Sequence, residues 1–134
     1  MKERIAFIKK YNKPSLLARK NEAGYWFVGY NYTINIHNGS TCTLEQADRL
    51  LLTQLKNINN CLIKQFGVSY PKLKKNQLIA LTSLIFTLGI EKFTQSNIAN
   101  LYKEGEVKEA RKQFAIYAKL GIIINRYKEE IELF

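Results

Sequence analysis

The apolar residues after residue 42 recur every three or four positions, and this periodicity constrains the fold more than any other feature of the chain. Thr43 and Gln46 have the spacing of a capping box, which marks the start of a helix. The apolar stripe that follows consists of Leu44, Ala47, Leu51, Leu55, Ile58, Leu62 and Phe66. Shorter stripes continue to the C-terminus, and Gly89, Gly105 and Gly121 separate them. The sequence therefore predicts a helical bundle over residues 43–134.

The N-terminal part of the chain has two other patterns. A short apolar pattern predicts a helix over residues 3–12, which Pro14 ends. Residues 24–38 are rich in aromatic and β-branched side chains, and Asn38 with Gly39 supplies a turn. The apolar members of an alternating pattern there are Tyr30, Tyr32, Ile34 and Ile36. The sequence therefore predicts a small antiparallel sheet of two or three strands within residues 24–38.

Together these elements predict one domain over residues 1–134. A chain of 134 residues fits a single domain, and 46 % apolar residues suffice for a packed core. A small sheet at one end of a mainly helical domain is an α+β arrangement. The groove between the sheet and the helices is the expected place for a binding site.

Composition argues against several classes of protein. No apolar run approaches the roughly 18 residues that span a bilayer. No signal peptide follows the basic N-terminus, so we expect a chain that is cytoplasmic as synthesised. Cys42 and Cys61 form neither a disulfide scaffold nor a CxxC motif, and we expect both to be reduced thiols. Because His37 is the only histidine, we expect no metal ion, and nothing in the sequence indicates a cofactor.

The chain is strongly basic, with 21 basic and 11 acidic residues and a net charge of +10. Such a surface attracts polyanions, which include nucleic acid, anionic cell-wall polymers and acidic protein surfaces. The sequence has no recognition-helix or RRM signature, and dense arginine does not flank its aromatic cluster. These observations argue against a nucleic-acid-binding domain, which we keep as an alternative.

Six stretches of the sequence, in order and in register, resemble the phage-type lysozymes. These are the endolysins of the T4-like and lambdoid-prophage kind, grouped as glycoside hydrolase family 24. The stretches are FIKKYN at 7–12, GYWFVGYNYT at 24–33, TLEQADRLL at 43–51, NQLIALTSLIFTLG at 76–89, Phe93 with Ser96, and residues 126–134. The resemblance covers almost the whole chain. It implies a lysozyme-like fold, a peptidoglycan substrate class and a prophage-derived gene.

The positions that carry the chemistry in this family hold other residues here. The catalytic glutamate of the family aligns with Asn12, and the catalytic aspartate aligns with Asn21. A threonine that positions the attacking water aligns with Phe27, and a histidine aligns with Tyr32. The loop before the last helix is also shorter, although Arg126 matches an arginine that lies near the glutamate in the family.

These differences argue against hydrolysis. Glycoside hydrolysis needs a carboxylic acid that protonates the leaving oxygen and a second carboxylate on the other side of the sugar. An amide has no readily transferable proton and no negative charge. The only acidic residues before residue 45 are Glu3 and Glu22, and neither lies where the family places its carboxylates. The sequence therefore predicts a catalytically inactive protein, a pseudoenzyme.

A retained groove could still bind a ligand. The candidates for binding, from the positions that line the groove in the family, are Trp26, Tyr30, Tyr32, Phe86, Thr87 and Arg126. Aromatic faces stack on sugars and on protein partners. We expect a binding or scaffolding module for a protein partner or a peptidoglycan glycan strand. The bulk of Phe27 and Tyr32 slightly favours a protein partner over a glycan. A residual or altered muramidase is the main alternative.

Overall fold

The structure, a computed structural model, describes residues 1–120 and 126–134. The chain divides into two compact units, Met1–Leu55 and Lys56–Phe134. A single domain over residues 1–134, with a groove between its parts, stays a prediction. The chain is mainly helical and contains one small antiparallel sheet in its described part, which confirms the predicted α+β class. In the described part of the chain, no helix is both long enough and apolar enough to cross a bilayer.

The first unit contains a helix, a β-hairpin and the start of a long helix. Helix α1 is Lys2–Tyr11, strand β1 is Ser15–Lys20, strand β2 is Trp26–Gly29, and helix α2 is Leu44–Phe66. The strands pair antiparallel, with Arg19 opposite Phe27 and Lys20 opposite Trp26. The main buried side chains of the unit are Phe7, Ile8, Ala18, Val28, Tyr30, Ala47, Leu51 and Leu55. The predicted N-terminal helix is thus confirmed to within one residue at each end.

The predicted sheet is present, but its position was partly wrong. Residues 30–38 form no strand, although Tyr32 makes an isolated bridge to Val28. Asn31 and Asn35 have φ angles of 65° and 56°, in the left-handed region, which interrupts an extended chain. The strand that pairs with β2 is instead β1, where the sequence shows no alternation. The pairing of β1 shifts between Ser15 and Arg19, so its side chains do not follow a simple period of two.

Helix α2 begins as predicted. The Gln46 N–H donates to Thr43 Oγ1 at 3.0 Å, and the Thr43 N–H donates to Gln46 Oε1 at 2.8 Å, which together make the capping box. The stripe from Ala47 to Phe66 is buried, while Leu44 in the first turn is 53 % exposed. Gly29 of β2 packs closely on this helix, since a Cβ added at Gly29 would lie 3.2 Å from the Cβ of Ala47.

The second unit is helical in its described part. A 3₁₀ segment, Gly67–Lys72, follows α2 and precedes α3 (Lys75–Leu88), α4 (Ile90–Gln95), α5 (Ile98–Lys103), α6 (Val107–Leu120) and α7 (Arg126–Leu133). Gly89 ends α3 with a φ of 92°, which confirms the predicted stop. The largest buried side chains are Leu62, Phe66, Leu81, Leu84, Ile85, Phe93, Ile98 and Phe114. The predicted stop at Gly121 and the shortened loop after it lie outside the described residues.

Candidate functional site

Asn12 directly follows α1 and closes its C-terminal end. Its backbone is extended, with φ −133° and ψ 121°, so the helix cannot continue through it. The half-buried side chain turns back, and Nδ2 donates a hydrogen bond to the carbonyl oxygen of Ile8 at 2.8 Å. The last carbonyls of a helix have no partner within the helix. The amide N–H of Asn12 therefore satisfies a helix-end acceptor, which a carboxylate cannot do.

Asn21 organises the loop that joins β1 to β2. Its Oδ1 accepts the N–H of Tyr25 at 3.1 Å, and its Nδ2 donates to Oδ1 of Asn31 at 3.1 Å. The backbone N–H of Asn21 also donates to the Tyr25 carbonyl at 2.9 Å. Both ends of the amide thus hold local structure, one as an acceptor and the other as a donor. A carboxylate could replace only the acceptor.

Three aromatic candidates lie on or beside the hairpin. Trp26 is half-buried, and the Lys20 ammonium lies 5.5 Å from the centroid of its ring, within cation–π range. Phe27 is half-buried opposite Arg19. Tyr32 is half-buried and exchanges two backbone hydrogen bonds with Val28, at 2.9 and 3.0 Å. Trp26 and Tyr32 thus each keep part of a side chain available to a ligand.

Tyr30 has a different environment, because its side chain is only 4 % exposed. Its hydroxyl donates to Oδ1 of Asp48 at 3.4 Å, and the same oxygen lies 2.9 Å from Nζ of Lys9. Burial raises the pKa of the Tyr30 phenol, and the hydrogen bond to Asp48 raises the pKa of the Lys9 ammonium. Tyr30 therefore belongs to a cluster that ties α1 and α2 to the turn after β2, and its ring has little surface for stacking.

Sequence reasoning missed Lys9 and Asp48 as partners. Both residues lie in stretches that carry the family resemblance, FIKKYN and TLEQADRLL. Because the two residues are far apart in the sequence, no local pattern indicates that they form a salt bridge. The carboxylate of Asp48 is salt-bridged to an ammonium, so this cluster does not supply a free general acid.

The remaining candidates lie in the second unit. Phe86 and Thr87 are half-buried in the last turn of α3, and the Thr87 hydroxyl donates to the Ser83 carbonyl at 3.2 Å. Arg126 begins α7, but its side chain lies outside what the structure describes. The structure thus places Asn12, Asn21, Trp26, Phe27, Tyr30 and Tyr32 in one compact unit and Phe86, Thr87 and Arg126 in the other.

Two carboxylates of the first unit, those of Glu22 and Glu45, are exposed. Glu22 is exposed in the loop between the strands, and Glu45 lies 3.8 Å from Arg49 on the surface of α2. Within residues 1–120 and 126–134, no three His, Cys, Asp or Glu side chains cluster in a way that could hold a metal ion. Cys42 and Cys61 are free thiols, and burial raises the pKa of Cys61.

Comparison with known proteins gives consistent matches over almost the whole chain. The family model for phage lysozyme matches residues 9–130. An endolysin of Acyrthosiphon pisum secondary endosymbiont phage 1 is 31 % identical over 118 residues, which cover 88 % of this chain and 79 % of the relative.

Solved structures agree with this match. The muramidase domain of SpmX from Asticaccaulis excentricus is similar with a TM-score of 0.80 and 28 % identity, over 100 % of this chain and 95 % of that one. An endolysin from Escherichia coli O157:H7 phage FAHEc1 has a TM-score of 0.74 at 21 % identity, over 99 % and 90 % of the two chains, and at that identity it supports the fold alone.

Proposed function

The chain belongs to the phage lysozyme family, and we propose that it is a member that binds the peptidoglycan glycan strand without hydrolysing it. The observation that supports this proposal is the use of both side-chain amides of Asn12 and Asn21, the two positions that the sequence resemblance matches to the family's catalytic carboxylates. Asn12 donates to the end of α1, and Asn21 donates to Asn31. In each case the donor is an N–H group that a carboxylate lacks.

The chemistry follows from the two side chains. A lysozyme-type reaction protonates the leaving oxygen with one carboxyl group and uses another as base or nucleophile. General acid catalysis alone is typically worth about 10²- to 10⁴-fold in rate. Because Asn12 and Asn21 are neutral and already hydrogen-bonded within the fold, neither can take these roles. Asp48 does not replace them, since its carboxylate is paired with Lys9 at 2.9 Å.

The binding half of the proposal rests on the aromatic side chains of the hairpin. Tyr25 is 65 % exposed, and Trp26 and Tyr32 are half-buried. Aromatic faces of this kind stack on apolar faces of sugar rings, and the strand pairing holds Trp26 at a fixed place. The family to which the chain belongs supports a peptidoglycan ligand. A protein partner, which the bulk of Phe27 and Tyr32 favours, is the competing form of the same binding module.

Two assays on purified peptidoglycan sacculi test the proposal. We expect the protein to sediment with insoluble sacculi while releasing no reducing ends over a range of pH and salt. Trp26→Ala should weaken sedimentation, whereas Tyr117→Ala on α6, an aromatic truncation in the other unit, should not.

Each outcome decides one part of the proposal. Turnover within about a hundredfold of an active phage lysozyme would refute the inactive centre, because loss of both carboxyl groups should cost more than that. It would favour the residual muramidase. Failure to bind sacculi, with hydrolysis also absent, would refute the glycan ligand and favour a protein partner.

A further inference from the structure

The positive charge of the protein is concentrated in residues 1–20. This stretch contains seven basic residues and one acidic residue, a net charge of +6, whereas the whole chain has a net charge of +10. Lys9 is neutralised by Asp48. The exposed side chains of Lys13, Arg19 and Lys20 have no ion-pair partner in the described part of the chain. Three uncompensated cations therefore lie on or next to strand β1.

In the sequence, two exposed leucines lie between Lys13 and Arg19. Leu16 is 46 % exposed and Leu17 is 59 % exposed. In a regular strand consecutive side chains point to opposite faces. When such a strand packs against a core, one of every two consecutive side chains is therefore buried. The pairing of β1 shifts between Ser15 and Arg19, and neither leucine is buried. We call the five residues Lys13, Leu16, Leu17, Arg19 and Lys20 the β1 surface.

We propose that the β1 surface docks on an anionic phospholipid bilayer as a peripheral membrane contact. Basic side chains near such a surface are attracted by its negative potential, and apolar side chains next to them enter the boundary between headgroups and acyl chains. The β1 surface supplies both kinds of group within eight consecutive residues of the sequence. Trp26 lies beneath Lys20 and adds an aromatic ring of the kind found at membrane interfaces.

Other occupants fit the β1 surface less well. A second copy of the chain would bring two strongly positive surfaces together, which like-charge repulsion opposes. Nucleic acid or an anionic polymer would neutralise Lys13, Arg19 and Lys20 but would leave Leu16 and Leu17 in water. An acidic protein surface could satisfy both groups, and the experiment below separates it from a bilayer. The inference does not depend on whether the chain hydrolyses glycan.

Vesicle sedimentation with the full chain tests the proposal. We expect binding to vesicles of phosphatidylcholine mixed with phosphatidylglycerol, much weaker binding to phosphatidylcholine alone, and release as salt is raised. The double variant Arg19→Gln, Lys20→Gln should bind about 25-fold more weakly, because each basic residue near an anionic membrane contributes about fivefold. The double variant Leu16→Ser, Leu17→Ser keeps the charge, and its affinity should fall by up to about tenfold.

The matched control makes the same kinds of change on α2. Ile63 is 46 % exposed, and Lys64 beside it is also exposed. Because neither residue belongs to the β1 surface, Ile63→Ser with Lys64→Gln should weaken binding by less than about twofold. Thermal melts verify that each variant is folded.

Three results would overturn the proposal. The first is equal binding to vesicles with and without phosphatidylglycerol. The second is an unchanged affinity of the Leu16→Ser, Leu17→Ser variant, which would reduce the β1 surface to a binder of polyanions. The third is no vesicle binding by a folded protein, which would leave an acidic protein as the occupant.

Discussion

Replacing Asn12 by aspartate should destabilise the protein, although the two side chains have almost the same shape. The substitution removes the hydrogen bond from Nδ2 to the Ile8 carbonyl, which measures 2.8 Å and is worth about 0.5–1.5 kcal/mol. It also places a negative charge at the C-terminal end of α1, where the helix dipole is unfavourable by about 0.3–1 kcal/mol. We therefore expect Asn12→Asp to lower the free energy of unfolding by about 0.8–2.5 kcal/mol at pH 7.

Two companion variants separate the contributions. Asn12→Ala loses the hydrogen bond without adding charge and should cost about 0.5–1.5 kcal/mol. Asn12→Glu restores the residue type of the family and should cost about 0.5–2 kcal/mol, the ordinary range for a point mutation. It should give no muramidase activity, alone or with Asn21→Asp, if Phe27 and Tyr32 crowd the positions of water and substrate, as the resemblance to the family implies.

The dependence on pH provides a second test of the same reasoning. Helix carbonyl oxygens disfavour a carboxylate at position 12, so the pKa of the new carboxyl should be higher in the folded than in the unfolded state. The loss of stability should then be small below about pH 4, the ordinary pKa of aspartate, and grow as the pH rises above it. Urea melts from pH 3 to 7 measure this change. If the Asn12→Asp variant and the parent have the same free energy of unfolding at every pH from 3 to 7, the amide does not stabilise the helix end.

Three further perturbations test the packing around the site, each by denaturant melts. Thr43→Ala should cost about 0.5–2 kcal/mol because it removes the capping oxygen of α2, whereas Thr53→Ala in the exposed middle of the helix should change stability by less than about 0.5 kcal/mol. Gly29→Ala should cost about 1–3 kcal/mol, since Gly29 has a φ of 60° and the new Cβ would meet α2 at 3.2 Å; Gly24→Ala has open space and should cost less. The parent should lose stability above about pH 10, because the phenol of Tyr30 ionises more readily in the unfolded state and the pKa of Lys9 is raised in the folded state. Tyr30→Phe should lose less over that range, and equal slopes would contradict the assignment.

Helices were predictable from this sequence because their signals are local. The hydrogen bonds of Thr43 and Gln46 involve only residues within one turn, and the glycine at 89 ends a helix through its own φ angle. The hairpin was less predictable. The alternation of apolar and polar side chains over residues 30–36 predicts a strand. Asn31 and Asn35 adopt left-handed conformations instead, which this alternation does not indicate. Strand β1 lacks an alternating pattern because its pairing shifts along its length.

The candidate site was predictable in its residue types but not in its bonds. The resemblance to the family predicts Asn12 and Asn21 as the site positions, and it could not indicate that both amides are engaged as donors within the fold. The same resemblance predicts Tyr30 as a ligand contact. In the structure Tyr30 is buried against Asp48 and Lys9, a cluster whose members are distant in sequence and meet only when α1 and α2 pack.

The close approach of Gly29 to Ala47 has a consequence for how this sequence can diverge. The two residues share one small volume, with 3.2 Å between the Ala47 Cβ and the position of a Cβ on residue 29. A larger side chain at either position would push the hairpin from the helix, whereas Ala47→Gly would return space to a Cβ at position 29. Substitutions at these two sites should therefore compensate each other in a double-mutant cycle, and family members that keep this packing should have small residues at both positions together.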